Sequence, residues 1–272
     1  MNAIKTTIID NLEIFYSSAL NDFEESVLLL SPLPESIRAF EPIWDTLTSK
    51  YNVIAIDLPG FGRSEARSDL FAPIAMAKFV VKAIDHFNCG PMHIVGPDIG
   101  SSVALFIAQY HPEKIKSAII GSAACVFPIQ SDGILTNMIM DPTNEGLQIY
   151  SSRDIISGAL ANMSKYQLSD EVKEEYLSSY DNGRFWDTML FLKALLVDLP
   201  LLNLENIAIP TLIIWGDKDP LAILKNGEIL HDKLPYNELV ILDAGHYVWE
   251  DAHAEYSDYL QNWINAGYKS FE

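Results

Sequence analysis

The chain has 272 residues, of which 37 are acidic, 18 are basic and 49% are hydrophobic, and its net charge is −19. This hydrophobic content excludes an intrinsically disordered chain, and the negative charge argues against binding to nucleic acid or to an anionic membrane surface. No apolar run has the length of a membrane span or of a secretory signal, and two cysteines are too few for a disulfide framework. We therefore expect a cytoplasmic protein with one large core.

Apolar runs alternate with helical patterns along most of the chain. In chain order, the predicted elements are a hairpin of Ile4–Ile9 and Leu12–Ser17, a strand at Val27–Ser31, a helix at Pro42–Lys50, a strand at Tyr51–Leu58, a helix at Ala75–Phe87, a strand at Met92–Val95, a helix at Ser101–Tyr110, and strands at Lys116–Gly121, Pro210–Trp215 and Glu238–Asp243. This alternation predicts an α/β fold with a mostly parallel central sheet flanked by helices.

Residues 124–204 break the alternation because they contain no strand-like run. They hold amphipathic segments instead, at Glu145–Tyr150, Asp154–Met163, Asp170–Ser179 and Phe185–Leu196. A single crossover between parallel strands needs far fewer residues. We therefore predict a helical cap at 124–204, inserted between a first core segment at 1–123 and a second at 205–272.

The segment Gly96–Gly100 reads Gly-Pro-Asp-Ile-Gly and lies between a predicted strand and a predicted helix. This is the context of a nucleophile elbow, whose central residue is exposed above the sheet. Here that residue is Asp98 rather than serine. A carboxylate that attacks a saturated carbon bearing a leaving group forms an ester that water can hydrolyse, so Asp98 points to epoxide opening or halide displacement. The simpler interpretation is that Asp98 is an N-cap of the next helix.

Further motifs follow the buried strands in a characteristic order. They are Ser31–Ser36, Asp57–Ser64, Trp215–Pro220 and Asp243–Tyr247. Together with the elbow, they resemble the α/β-hydrolase superfamily, and within it the epoxide hydrolase and haloalkane dehalogenase branch with an Asp nucleophile. The resemblance covers nearly the whole chain except the insertion.

Hydrolysis of an ester on Asp98 needs a base that activates water. His246 suits this role because imidazole titrates near neutral pH. The base in turn needs a carboxylate that fixes its tautomer, and the loop after the predicted strand Pro210–Trp215 offers Asp217 and Asp219. Related α/β-hydrolases commonly place the acid at the second of these positions, so the resemblance implies Asp219, with Asp217 in reserve.

The resemblance also implies an oxyanion hole formed by the backbone N–H groups of Leu33 and Ile99. The usual family motif around the first donor is His-Gly-x-Pro. This chain has Ser31–Pro34 there, with a proline at the second position and the final proline retained.

The identity of the residue after the nucleophile distinguishes halide displacement from epoxide opening. Many haloalkane dehalogenases carry a tryptophan there that donates to the halide, which Ile99 cannot do. Epoxide opening instead needs an acid near the developing alkoxide, usually a tyrosine of the cap, since a neutral phenol can donate its proton. The predicted substrate-binding residues are Tyr166, Tyr180, Tyr150 and Trp186.

The sequence thus predicts a hydrolase that opens a small apolar epoxide through an alkyl-enzyme ester, with no cofactor and no metal. Nucleic acid and membrane are not expected partners, and a homodimer is compatible with the sequence. The first alternative is a haloalkane or haloacid dehalogenase that uses the same ester. The second is a non-hydrolytic natural-product enzyme or a ligand-binding protein on a hydrolase scaffold.

Overall fold

The structure is a computed structural model that describes residues 1–131, 133–141 and 143–268. Positions 132 and 142 of the predicted cap, and 269–272 of the predicted second core segment, lie outside the described residues. The strands are β1 (Lys5–Ile9), β2 (Leu12–Ala19), β3 (Ser26–Leu30), β4 (Asn52–Ile56), β5 (Met92–Pro97), β6 (Ile115–Gly121), β7 (Thr211–Gly216) and β8 (Asn237–Leu242). The helices are α1 (Glu41–Thr48), α2 (Pro73–Phe87), α3 (Ile99–Tyr110), α4 (Ile134–Met140), α5 (Ser152–Met163), α6 (Asp170–Ser179), α7 (Arg184–Asp198), α8 (Lys225–Lys233), α9 (Val248–Asp251) and α10 (His253–Asn265).

Across the described ranges, one sheet has the strand order β1-β2-β4-β3-β5-β6-β7-β8. β1 and β2 form an antiparallel hairpin, and β2 pairs antiparallel with β4. The remaining pairs, from β4 through to β8, are parallel. The inner strands are buried runs of aliphatic residues because helices cover the sheet. The predicted fold class is confirmed.

The segment between β6 and β7 contains α4 to α7 and no strand among the residues that are described. Helices α5, α6 and α7 match three of the predicted amphipathic segments closely. The prediction of a helical segment at Glu145–Tyr150 is wrong, because these residues form turns. The segment is bounded by Asn144, whose φ is positive at 55°, and by Ser151, which caps α5. Helix α4 was not predicted.

Because β3 to β8 run parallel, their carboxyl ends meet at one edge of the sheet, where α/β folds bind ligands. The loops after β3, β5, β7 and β8 all open at this edge. Helices α4, α5 and α7 contribute the opposite wall of a cavity above it. No helix in the described part of the chain is long and apolar enough to cross a membrane.

Candidate active site

Asp98 occupies a strained turn between β5 and α3. Its φ and ψ are 50° and −126°, a conformation that residues with a side chain rarely adopt. The turn needs glycine at position 96, because a Cβ on Gly96 would lie 2.5 Å from the carbonyl oxygen of Gly100. The Asp98 side chain makes no capping hydrogen bond to α3. Asp98 thus occupies the N-cap position of α3, as the simpler interpretation predicts, but its side chain does not cap the helix.

The two oxygens of the Asp98 carboxylate have different surroundings. Oδ2 accepts a hydrogen bond of 2.8 Å from the backbone N–H of Leu33, whereas Oδ1 lies 3.8 Å from Nε2 of His246. Burial raises the pKa of Asp98 to about 6, although the charge of His246 and the backbone N–H groups of Leu33 and Ile99 act in the opposite direction. One oxygen is thus fixed by the backbone, and the other is free to react.

His246 is buried and is held by Asp219. Its Nδ1 is 2.9 Å from Oδ2 of Asp219, and Oδ1 of Asp219 accepts hydrogen bonds of 2.9 Å from the backbone N–H groups of Leu221 and Ala222. Burial lowers the pKa of His246, but the charges of Asp219 and Asp98 outweigh it, and the net pKa is raised. Nε2 is enclosed and has no hydrogen-bond partner within the described residues. In the tautomer that donates from Nδ1, Nε2 can accept a proton.

Asp217 lies apart from this arrangement. It is exposed, and its Oδ1 accepts a hydrogen bond of 3.3 Å from the backbone N–H of Ala244. Of the two carboxylates after β7, the structure brings Asp219 to His246.

A small cavity of about 20 Å³ adjoins Asp98 and His246. This volume is enough for one water molecule. Its other walls are mostly apolar, and the hydroxyl of Ser102 donates to the backbone carbonyl of Ile99. A water in this cavity would therefore find its polar partners on Asp98 and His246.

A larger cavity of about 400 Å³ lies between the core loops and the helices that follow β6. Leu33, Asp98 and Tyr247 belong to its lining, and most of the remaining lining side chains are aliphatic or aromatic. No lysine, arginine or histidine lines it among the described residues. Within the same residues, no group of three or more His, Cys, Asp and Glu side chains could hold a metal ion. The cavity suits a neutral, apolar ligand.

Tyr180 does not line this cavity. Its buried hydroxyl donates to the backbone carbonyl of Glu35 and accepts from the backbone N–H of Gly62, both at 3.0 Å. The structure thus places Tyr180 away from the cavity, with the proton of its hydroxyl already donated to the backbone.

The other predicted aromatic residues divide between the cavity and its surroundings. Tyr166 does not line the cavity, and its ring packs against His253 with 5.8 Å between centroids. Trp186 does not line it either and packs against Phe185 at 5.1 Å. The structure therefore places neither Tyr166 nor Trp186 at this cavity. Tyr150 does line the cavity, with 56% of its surface exposed.

Two further residues of the candidate site were not identified from the sequence. One is Tyr247, next to the histidine. The other is Asp251, whose Oδ2 accepts a 2.9 Å hydrogen bond from the N–H of Gly245 and whose Oδ1 accepts from three groups within residues 164–166. The backbone N–H of His246 also donates to the carbonyl of Met163 at 2.9 Å. The end of α5 is thereby tied to the histidine loop, and no sequence pattern signals this.

Comparisons with known proteins give one family. The model of the alpha/beta hydrolase fold family matches residues 25–166. An uncharacterized hydrolase, YugF, from Bacillus subtilis (strain 168) is 23% identical over 269 residues, which is 97% of this chain and 98% of that protein.

Solved structures agree on the fold. Epoxide hydrolase VrEH1 from Vigna radiata superposes with a TM-score of 0.80 at 19% identity, covering 97% of this chain and 98% of that one. A thermophilic esterase from Thermogutta terrifontis superposes with a TM-score of 0.78 at 17% identity, covering 98% of this chain and 100% of that one. At these identities the likeness establishes the fold alone.

Proposed function

Because the chain belongs to the alpha/beta hydrolase fold family, we propose that it opens a small apolar epoxide through a covalent ester on Asp98. The arrangement of the Asp98 carboxylate carries this proposal. Leu33 holds one of its oxygens at 2.8 Å, and the other lies 3.8 Å from Nε2 of His246. An aspartate so placed can both attack carbon and present its carbonyl to a second attack.

In the first step, Oδ1 of Asp98 attacks a ring carbon of the epoxide. The carbon–oxygen bond of the ring breaks, its electron pair moves to the ring oxygen, and an alkyl ester forms. Oδ2 then becomes the carbonyl oxygen of this ester. It already lies at the N–H of Leu33, so the enzyme needs no rearrangement before the second step.

In the second step, Nε2 of His246 takes a proton from a water, and the resulting hydroxide attacks the ester carbonyl. The small cavity beside Asp98 and His246 accommodates that water. Negative charge develops on Oδ2, where the N–H groups of Leu33 and Ile99 stabilise it. Collapse of the tetrahedral centre releases the diol and restores Asp98.

The cavity favours this substrate over the alternatives. An ester attacked by Asp98 would give a mixed anhydride, so an aspartate is a poor nucleophile for esters. A haloacid carries a carboxylate, and no cationic side chain lines the cavity among the described residues. Halide release lacks a donor of the usual kind, because Ile99 follows the nucleophile and Trp186 does not line the cavity.

The test is to trap the ester with His246→Gln, which should form it but hydrolyse it slowly. This variant and a matched control, His111→Gln at the half-exposed end of α3, are incubated with a panel of apolar epoxides and haloalkanes, and intact and peptide masses are measured. We expect an epoxide-sized adduct on Asp98 only in the first variant. An adduct from haloalkanes alone would reassign the substrate, and no adduct from any compound would refute covalent catalysis.

A further inference from the structure

Opening an epoxide leaves negative charge on the ring oxygen, so a proton donor must lie beside it. The cap tyrosines expected in this role, Tyr166 and Tyr180, do not line the cavity. We propose that the acid is Tyr247, the residue directly after the histidine, and this inference rests on the proposed function.

Tyr247 is placed where such a donor is needed. It lines the same cavity as Asp98, only 1% of its surface is exposed, and its ring centroid lies 5.1 Å from that of His246. The indole of Trp249 packs on it at 5.6 Å. Its carbonyl accepts hydrogen bonds from the N–H groups of Glu250 and Asp251 at 3.0 and 2.9 Å. Its backbone and its ring are thus fixed relative to the base.

The hydroxyl of Tyr247 is free to serve a ligand. It has no hydrogen-bond partner within the described residues, whereas that of Tyr180 is occupied on both sides. Burial, together with the charges of Glu35 and Asp98, raises the pKa of Tyr247 well above its usual range. The phenol therefore keeps its proton at neutral pH, as an acid that acts on an alkoxide must.

The other polar groups of the cavity are less suited to this role. Tyr150 is 56% exposed. The side-chain amide of Asn162 donates to the carbonyl of Gly158 within its own helix at 2.7 Å. Asp154 is exposed, and its carboxylate accepts a hydrogen bond of 2.7 Å from the hydroxyl of Ser151. Among the described residues that line the cavity, Tyr247 therefore remains as the buried residue whose hydroxyl can donate a proton.

The protons balance over the whole cycle. As Asp98 attacks, the ring oxygen takes the proton of Tyr247, which leaves a phenolate and an ester that carries an alcohol. In hydrolysis, His246 takes a proton from water and returns it to the departing alkoxide of the diol. Asp98 is regenerated as a carboxylic acid, and its proton restores the Tyr247 phenol. The net reaction is epoxide plus water to diol.

The experiment compares ester formation in His246→Gln with that in the double variant His246→Gln/Tyr247→Phe. The matched control is His246→Gln/Tyr256→Phe, since Tyr256 is also buried, its hydroxyl has no hydrogen-bond partner among the described residues, and it does not line the cavity. Adduct mass on Asp98 is followed in single turnovers at saturating epoxide. The substrate concentration for half-maximal rate and the melting temperature are measured in parallel.

We expect Tyr247→Phe to slow the maximal rate of ester formation by about 100-fold or more. The substrate concentration for half-maximal rate and the melting temperature should change little. Tyr256→Phe should leave the rate of ester formation within about threefold of that in His246→Gln. A rate in Tyr247→Phe within threefold of its parent would overturn the role of Tyr247 but leave the ester on Asp98 intact. Equal losses in both double variants would also overturn it, since the effect would then be structural. Absence of any adduct in His246→Gln itself would refute the proposed function and this inference with it.

Discussion

The backbone N–H of Leu33 donates a 2.8 Å hydrogen bond to Oδ2 of Asp98 across the two loops that follow β3 and β5. This contact forms although a proline precedes Leu33, because proline removes its own N–H and leaves that of the next residue in place. The bond also distinguishes the two carboxylate oxygens before any substrate is present. In the proposed mechanism, the backbone thereby selects which of the two oxygens attacks.

The first prediction concerns the pH dependence of ester formation. Burial raises the pKa of Asp98 to about 6, and only the deprotonated form attacks carbon. The single-turnover rate of ester formation should therefore rise with pH and level off above about 6. In His246→Gln the midpoint should move higher, because the attraction of His246 that lowers this pKa is lost. Quenched-flow mass spectrometry measures both profiles, and a flat profile from pH 5 to 7 would contradict the assignment.

The second prediction separates the two carboxylates after β7. Asp219→Asn should slow hydrolysis of the ester by about 100-fold or more, because the imidazolium loses its charged partner and the tautomer of His246 is no longer fixed. Ester formation should be less affected, so the ester should accumulate. Asp217→Asn is the matched control and should leave the rate of hydrolysis within about threefold. The reverse ranking would exchange the two roles.

The third prediction concerns Tyr180, whose hydroxyl lies between two backbone groups. Tyr180→Phe leaves the buried N–H of Gly62 without an acceptor, which costs about 1–3 kcal/mol of unfolding free energy. In a chain of this size, that corresponds to a fall in melting temperature of roughly 2–4 °C per kcal/mol. Calorimetry against Tyr256→Phe, which removes a hydroxyl without a partner in the described chain, is the test. An equal melting temperature for the two variants would argue against this structural role.

The fourth prediction follows from two buried carboxyl groups, those of Glu35 and Glu250. The indole N–H of Trp249 donates to Oε2 of Glu35 at 3.0 Å. Oε1 of Glu35 and both carboxyl oxygens of Glu250 are enclosed and accept no hydrogen bond from a donor among the described residues, and the two carboxyl groups interact with each other. Burial raises the pKa of Glu250 to about 8, and burial together with the charge of Glu250 raises that of Glu35.

Because both pKa values are raised in the folded state, the protonated forms favour folding. The stability that they contribute is present at low pH and is lost as pH rises through about 8. The unfolded state releases these protons near pH 4.5 and the folded state near pH 8, so the melting temperature should fall between about pH 5 and 8, and Glu250→Gln should reduce that fall. Glu255→Gln, an exposed control on α10, should not. Identical pH profiles for all three proteins would show that the pair is not the source.

The site could be located from the sequence because its residues follow buried strands. Parallel strands end at one edge, so Asp98, Asp219 and His246 had to lie near one another once β5, β7 and β8 were recognised. The choice of Asp219 over Asp217, and the backbone donors of Leu33 and Ile99, needed the family resemblance. The order of the strands and loops in the sequence was thus sufficient to place these three residues at one edge of the sheet.

The lining of the cavity could not be derived in the same way. Tyr166 and Tyr180 lie in segments predicted to be helices or turns, but the direction of each side chain depends on packing against the core loops. Tyr180 reaches the backbone of Gly62, which is far away in sequence. Tyr247 was overlooked because an aromatic residue beside a histidine has no distinctive spacing.

The contacts of Asp251 restrict how the site can open. Residues 163–166, at the end of α5, bind Asp251 and the backbone of His246. A Cβ on Gly245 would lie 2.3 Å from the carbonyl oxygen of Met163. The backbone at the end of α5 and the backbone of the histidine loop are therefore in close contact. Lifting α5 at this end would pull on the base itself. Any displacement of α5 at this end therefore has to break the contacts that hold the loop of His246.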